Sequence, residues 1–152
     1  MIVFLDTGPL GAITNPSPKS QQVSQIKAWA QQMEAANHRL IVPAVADYEQ
    51  RREHLLRGAT ASITELDNFI NRVPGRYLPV TDSALKRAAQ LWADMRKIGL
   101  PTADLLELDC DIVLASQVLD LGLAAGSFIV ATGNIRHVQR LIACATWQNI
   151  PV

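Results

Sequence analysis

Cysteine is scarce in this chain: only Cys110 and Cys144 occur among 152 residues. Two thiols exclude a disulfide framework and a structural zinc site. Both lie in apolar stretches and read as buried free thiols, which suits a reducing cytoplasm. A basic excess is also missing, since 14 Lys and Arg face 14 Asp and Glu. The chain therefore lacks the global field of a general nucleic-acid binder, and any polyanion must be held by local basic clusters. No apolar run is long enough to span a membrane. The N-terminal run Ile2 to Leu5 meets Asp6 without a basic region before it, so it does not read as a signal peptide. Repeats, low-complexity tracts and linkers are absent. The Pro and Ser residues from Asn15 to Ser20 form a local loop, and residues 1–152 are expected to be one domain.

What is present is a 49% hydrophobic chain, enough for a real core, in which short apolar runs alternate with helical stripes. Ile2 to Leu5 reads as a buried strand that stops at the turn Asp6-Thr7-Gly8-Pro9. Ser20 to Ala36 is predicted helical, with Val23, Ile26, Ala30 and Met33 on its apolar stripe. Leu40 to Val42 is a second strand. Pro43 then reads as the first residue of a helix over Ala44 to Arg57, ended by Gly58. A third helix is expected from Ser62 to Val73, stopped by Pro74-Gly75, and Tyr77 to Val80 is a third strand. Thr81 caps a long helix whose inner face is Leu85, Ala88, Ala89, Trp92 and Met95. Beyond a loop from Gly99 to Leu106, Leu108 to Leu121 is a strongly apolar helix closed by Gly122. Ser127 to Ala131 is a fourth strand, Ile135 to Ala143 a short helix and Trp147 to Val152 a candidate fifth strand. Strands alternating with helices imply an α/β fold with a parallel sheet covered on both faces. In such sheets ligands bind beyond the carboxyl ends of the strands. Asp6 follows one strand end, and Thr132 and Asn134 follow another.

The acids carry the chemistry. Asp6, directly after a buried strand, loses hydration and stays ionised only if a cation or strong donors compensate. The alternative is a turn cap through its side-chain oxygen. Glu49, within PAVADYEQRRE, shares a helix face with Val45 and Arg52. If Val45 packs on the sheet, Glu49 lies near the core with Arg52 or Arg51 as partner; otherwise it forms a surface ion pair. The segment PTADLLELDCDIVLASQ carries Asp104, Glu107, Asp109 and Asp111 ahead of an apolar helix. A helix dipole accounts for one or two acids at an N-terminus, not for four. Crowded like charges are usually relieved by a divalent metal. Asp111, in line with Ala115 and Val118, is the inward-facing acid, and Asp109 can join it from ahead of the first turn. The donors are all oxygen, which favours Mg²⁺ or Mn²⁺. His38, His54 and His137 are scattered and read as surface residues, with His137 of interest for its nearness to Asn134.

Four pieces recur in a familiar order across nearly the whole chain: FLDTGPLGAITNP, PAVADYEQRRE, DCDIVLASQVLDLG and IVATGN. On these the sequence resembles the PIN-domain nucleases, particularly the VapC-type toxins of bacterial toxin–antitoxin pairs. The resemblance implies a three-layer α/β/α sandwich around a parallel sheet of four to five strands. It also implies an endoribonuclease site, dependent on Mg²⁺ or Mn²⁺, that hydrolyses phosphodiester bonds. By motif position the family's acids fall on Asp6, Glu49 and Asp111, with Asp109 as a further candidate. Asp6 and Asp111 are then direct metal ligands, and Glu49 is a ligand or orients the attacking water. Thr7 stands where a hydroxyl often accompanies the first acid. Asn134 occupies a late position that some relatives fill with Asp, so the fourth ligand stays open between Asp104, Asp109 and a water held by Asn134. His137 stands where relatives commonly carry an aromatic residue.

Substrate contacts are assigned to Thr7, Asn134, Arg52 and Arg136, within the local clusters Arg51, Arg52, Arg57 and Arg136, Arg140. The partners implied are an RNA substrate, a cognate antitoxin and a second copy in a homodimer, with no membrane. A catalytically weakened PIN-like domain, acting as a protein or RNA binding module, is the alternative raised by Asn134 and the neutral charge. A phospho-acceptor signalling domain is disfavoured. Its mid-chain acceptor Asp is missing, because Tyr77 to Val80 runs into Thr81-Asp82 at a helix start, and no Lys follows Lys97.

Overall fold

The computed structural model describes residues 1–17, 19–104 and 108–152, so Glu107 lies outside the described residues. Five strands form one sheet: β1 (Ile2–Leu5), β2 (Arg39–Pro43), β3 (Tyr77–Leu78), β4 (Phe128–Ala131) and β5 (Cys144–Ala145). Their order is β3-β2-β1-β4-β5, and every pairing is parallel. The helices are α1 (Thr7–Ile13), α2 (Gln21–Ala35), α3 (Ala44–Leu56), α4 (Thr60–Asn71), α5 (Asp82–Lys97), α6 (Cys110–Leu119) and α7 (Ile135–Val138). A 3-10 turn follows at Trp147–Asn149.

Side chains alternate across each strand, and that sorts the apolar runs onto two faces. Val3, Leu5, Leu40, Val42 and Ala131 pack with α1, α2 and α4, around Leu10, Ile26, Met33 and Leu66. Phe4, Ile41 and Val130 pack on the opposite face, against Leu114, Ala115 and Val118 of α6. Three layers result. Strands buried on both sides read as unbroken apolar runs, which is why their period of two is invisible in the sequence. Each such side chain contributes about 1.5–3 kcal/mol relative to exposure. Helix α5 lies outside this sandwich and packs on α6 through Ala88, Met95 and Ile112.

Several boundaries differ from expectation. Asp6-Thr7-Gly8-Pro9 opens a helix rather than a turn. Pro9 falls within the first turn of α1, where an absent N–H costs nothing. Pro43 remains in β2 with extended backbone, and α3 begins one residue later. Helix α4 starts at Thr60 and ends at Asn71, two residues ahead of the predicted span at each end. On α5 the buried positions are Ala84, Ala88 and Met95, whereas Leu85 and Ala89 face outward, because α5 packs mainly along α6 and buries a narrow stripe. The fifth strand is Cys144–Ala145, and Trp147 lies in the 3-10 turn beyond it. Helix α7 covers only Ile135–Val138 of its predicted span. Both cysteines are free and half-buried rather than buried.

Candidate active site

Parallel strands bring all their carboxyl ends to one edge, and β1, the middle strand, delivers Asp6 there. The Asp6 backbone N–H donates to the Ala131 carbonyl of β4, at 3.0 Å. One side-chain oxygen caps α1 by accepting from the Thr7 N–H at 2.7 Å. The other accepts from the Thr132 hydroxyl at 2.6 Å. The capping role and the site role, alternatives in the sequence, belong to the same carboxylate. Asp6 is buried, and burial pushes its carboxyl above the ordinary 3.8; the Thr132 and Thr7 hydrogen bonds pull it down, and the charge of Glu49 pushes it up further.

Glu49 reaches the same edge from α3. Val45 is buried against the second core, as the helix face required, and Glu49 sits one turn on and half-buried. The Thr7 hydroxyl donates to Glu49 Oε2 at 2.6 Å, so Thr7 joins Asp6 and Glu49 through its N–H and its hydroxyl. Arg52 stands 3.6 Å from Glu49 Oε1 and lies over the Tyr48 ring at 5.3 Å. Gln50, which the sequence did not flag, donates to the Thr7 carbonyl at 2.9 Å. Its carboxamide lies over Gly11, where a Cβ would come within 2.6 Å of it, so the glycine allows α3 to close on α1.

Asp111 enters from the first turn of α6, with Ala115 and Val118 buried below it. Its carboxyl is pushed up to about 7, by burial first and then by the charges of Asp6, Asp109 and Glu49. That mutual repulsion places the four acids in one field. Asn134 Nδ2 donates to Asp111 Oδ2 at 2.8 Å, and His137 Nδ1 lies 3.7 Å from the same oxygen. Asp109 is buried and caps α6, accepting from the Ile112 N–H at 3.2 Å and, through its other oxygen, from the Thr102 hydroxyl. Asp104 is exposed.

Cys110 is a site neighbour that sequence reading passed over. Burial, then the adjacent Glu49, pushes its thiol up to about 12, so it stays protonated and is no nucleophile. Thr132 was noted only as a polar residue after a strand; its bond to Asp6 spans 126 residues and no local pattern encodes it. The basic clusters divide. Arg51 is held by Asp47 at 2.8 Å and Asp67 at 2.7 Å, and Arg57 by Glu53 at 3.0 Å. Arg52, Arg136 and Arg140 are exposed.

The donor set is carboxylate oxygen, suited to a hard divalent cation, and the carboxyls of Asp6 and Asp111, raised by burial and then by neighbouring acid charge, are the electrostatic setting that such an ion relieves. Among the described residues, no three His, Cys, Asp or Glu side chains converge at ligand spacing. The acids share the edge while their oxygens are taken up by Thr7, Thr132, Asn134 and the two helix caps.

Neither a protein-family model nor a curated protein sequence matches the chain. Solved structures do. A chain of VapBC2 from Rickettsia felis, solved bound to a DNA fragment from its promoter, superposes with a TM-score of 0.70 at 15% identity, over 97% of this chain and 99% of that one. VapBC-1 from nontypeable Haemophilus influenzae gives 0.63 at 20% identity, over 98% and 100%. FitAcB from Neisseria gonorrhoeae gives 0.66 at 18%, over 97% and 99%. These likenesses establish the fold over nearly the full length: the PIN-like α/β/α sandwich that the sequence resemblance implied.

Proposed function

We propose that this chain is a ribonuclease dependent on Mg²⁺ or Mn²⁺, acting as the toxin of a toxin–antitoxin pair. The observation that carries the proposal is the gathering of acids at the sheet edge, where Thr7 bonds both Asp6 and Glu49, and where burial first and then the charges of Asp6, Asp109 and Glu49 push Asp111 up to about 7. Asp6 and Asp111 are the proposed direct ligands, with Glu49 and Asp109 completing the acidic set. When bound, the ion lowers the pKa of a water and offsets negative charge at phosphorus. The protein's own parts have separate duties. Thr132 and the Thr7 N–H fix Asp6, the Thr7 hydroxyl fixes Glu49, and Asn134 fixes Asp111. Glu49 serves as a further ligand or orients the attacking water. Arg52 and Arg136 stand at the exposed rim as phosphate contacts, whereas Arg51 is already neutralised by two acids.

An antitoxin partner is proposed from the VapBC complexes that share the fold. A homodimer is proposed from an apolar hollow lined by Tyr48, Val80, Leu85 and Leu108, all exposed. A second reading, a binding module with weakened catalysis, is favoured by two features: the side chain against Asp111 is the amide of Asn134, and among the described residues no three His, Cys, Asp or Glu side chains converge at ligand spacing.

Cleavage of end-labelled single-stranded RNA with Mg²⁺, with Mn²⁺ and with EDTA decides between them. The nuclease reading expects cleavage with either metal, none in EDTA, and loss in Asp6→Asn and Asp111→Asn. Asn caps a helix as well as Asp does, so Asp6→Asn keeps α1 intact. Binding without cleavage points to the module. Full activity in Asp6→Asn overturns the site assignment.

A further inference from the structure

A cavity of about 390 Å³ opens between α1, α2, the residues after β4 and the 3-10 turn. Its wall at the acidic edge is Thr132 and Gly133, and Thr132 is the residue bonded to Asp6 Oδ2. Gly8, one residue beyond Thr7, forms another wall, with Gln22 of α2, and Trp147 and Gln148 of the 3-10 turn, farther out. None of its lining side chains is charged. The cavity thus begins at a proposed phosphodiester-cleaving centre and ends on an indole flanked by carboxamides.

Charge, shape and position discriminate between ligands. A wall with no charged side chain offers neither a phosphate nor an amine an ionic partner. A half-buried indole offers stacking, and two exposed Gln side chains offer paired donors and acceptors. Single-stranded RNA is read by stacking bases on aromatic rings and by hydrogen bonds to base edges. Trp147 is also fixed in place. It packs against Trp29 with ring centroids 6.0 Å apart, and Trp29 Nε1 donates to the Ile150 carbonyl, tying the C-terminal turn to α2. A braced ring loses little entropy when a base stacks on it.

We propose that this cavity is a nucleobase subsite, in which one base of a single-stranded RNA near the cleaved phosphodiester stacks on Trp147 while Gln22 and Gln148 bond its edge. The subsite rests on the ribonuclease reading for its substrate class and extends it to base recognition. Arg52 and Arg136 handle backbone charge at the rim, and the cavity supplies a preference among bases.

The test separates binding from cleavage. Anisotropy of a labelled single-stranded RNA is measured in EDTA, using the intact strand and strands with one abasic ribose at each position in turn. Cleavage with Mg²⁺ is followed in parallel. Stacking on an aromatic ring is worth about 1–3 kcal/mol per base, or roughly 5- to 150-fold in affinity. The wild type should lose affinity by that factor at one abasic position, and Trp147→Ala should lose the same factor on intact RNA and become indifferent to that position. Trp147→Phe, which keeps a ring against Trp29, should retain most of the affinity. Gly8→Leu is a second route: a Cβ at Gly8 meets no atom within 4 Å, so the larger side chain fills open space and leaves the Trp pair alone. It should weaken RNA binding in a protein that melts normally.

The subsite is overturned if Trp147→Ala and Gly8→Leu bind intact RNA as the wild type does, or if no abasic position matters. Unchanged RNA binding with loss of a co-purifying protein partner overturns it in favour of a peptide groove. Wild-type cleavage with unaltered Trp147→Ala binding defeats the subsite and leaves the nuclease standing. Position-specific binding without cleavage does the reverse.

Discussion

At Asp111, burial and three neighbouring acids act in one direction, raising the carboxyl from 3.8 to about 7. Between about pH 4 and pH 7 the native protein therefore holds more protons than the unfolded chain, and its stability without metal falls as pH rises through that window. Asp6 is shifted the same way and adds to the slope. We expect the thermal midpoint of EDTA-treated protein to drop from pH 5 to pH 8, and millimolar Mn²⁺ to cancel the drop by binding the ionised acids. Asp111→Asn should flatten the profile. A wild-type profile already flat in EDTA means that the acids do not interact. Asn134 offers the complementary substitution. Asn134→Asp puts a carboxylate against Asp111 Oδ2 in place of an amide donor. The metal-free midpoint should fall, by about 2–4 °C for each kcal/mol of added repulsion, and the stabilisation by Mn²⁺ should grow. Equal Mn²⁺ responses in the two proteins would place Asn134 outside the ion's reach.

Helix α6 shows how a capping role and a ligand role can be separated. Asp109 caps the helix from a buried position, so Asp109→Ala should cost about 1 kcal/mol or more in stability, measurable by urea unfolding. Asp109→Asn keeps the cap. Cleavage lost in Asp109→Asn at wild-type stability assigns it a ligand role, and cleavage retained assigns it to capping alone. About two turns further along, Gln117 is buried, accepts from the Val45 N–H at 3.2 Å and donates to the Leu78 carbonyl at 2.8 Å. It ties α6 to the start of α3 and to β3. Gln117→Leu orphans both groups, at about 1–3 kcal/mol each, and should lower the thermal midpoint by on the order of 10 °C. These contacts also mark what the sequence could carry. Helices with an apolar stripe and strands as short apolar runs were legible, as was the Thr81 cap, because each depends on neighbours in the chain, whereas the Ser20 cap of α2 was not singled out. Helix α1 was not, since Asp-Thr-Gly-Pro is an equally good turn and helix start, and only the burial of Leu10 and Ile13 decides. Gln117, Gln50 and Cys110 act through partners far away in sequence, and no spacing announces them.

Across the whole molecule, sheet order explains why distant acids meet. With β1 between β2 and β4, Asp6 leaves the middle of the sheet, α3 starts from the adjoining β2, and Thr132 and Asn134 follow the other neighbour, β4. The parallel alternation pointed to this edge, while the pairing of Asp6 with Glu49 and Asp111 was legible only through the order of the family-like motifs. Net charge acts at the same scale. The chain is neutral, and Arg51 and Arg57 are held by acids, so on the ribonuclease reading the backbone of RNA has the exposed rim of Arg52 and Arg136 to contact rather than a basic surface. Two phosphate contacts on a single strand predict a slope of log affinity against log salt of about −1.4, from roughly −0.7 per contact. Arg136→Gln should make the slope shallower by about 0.7 and weaken all sequences alike. Trp147→Ala should leave the slope unchanged, because stacking releases no counterions. A slope steeper than about −4 requires a basic surface beyond this rim, and with it a path for RNA other than the one past Asp6 and Trp147.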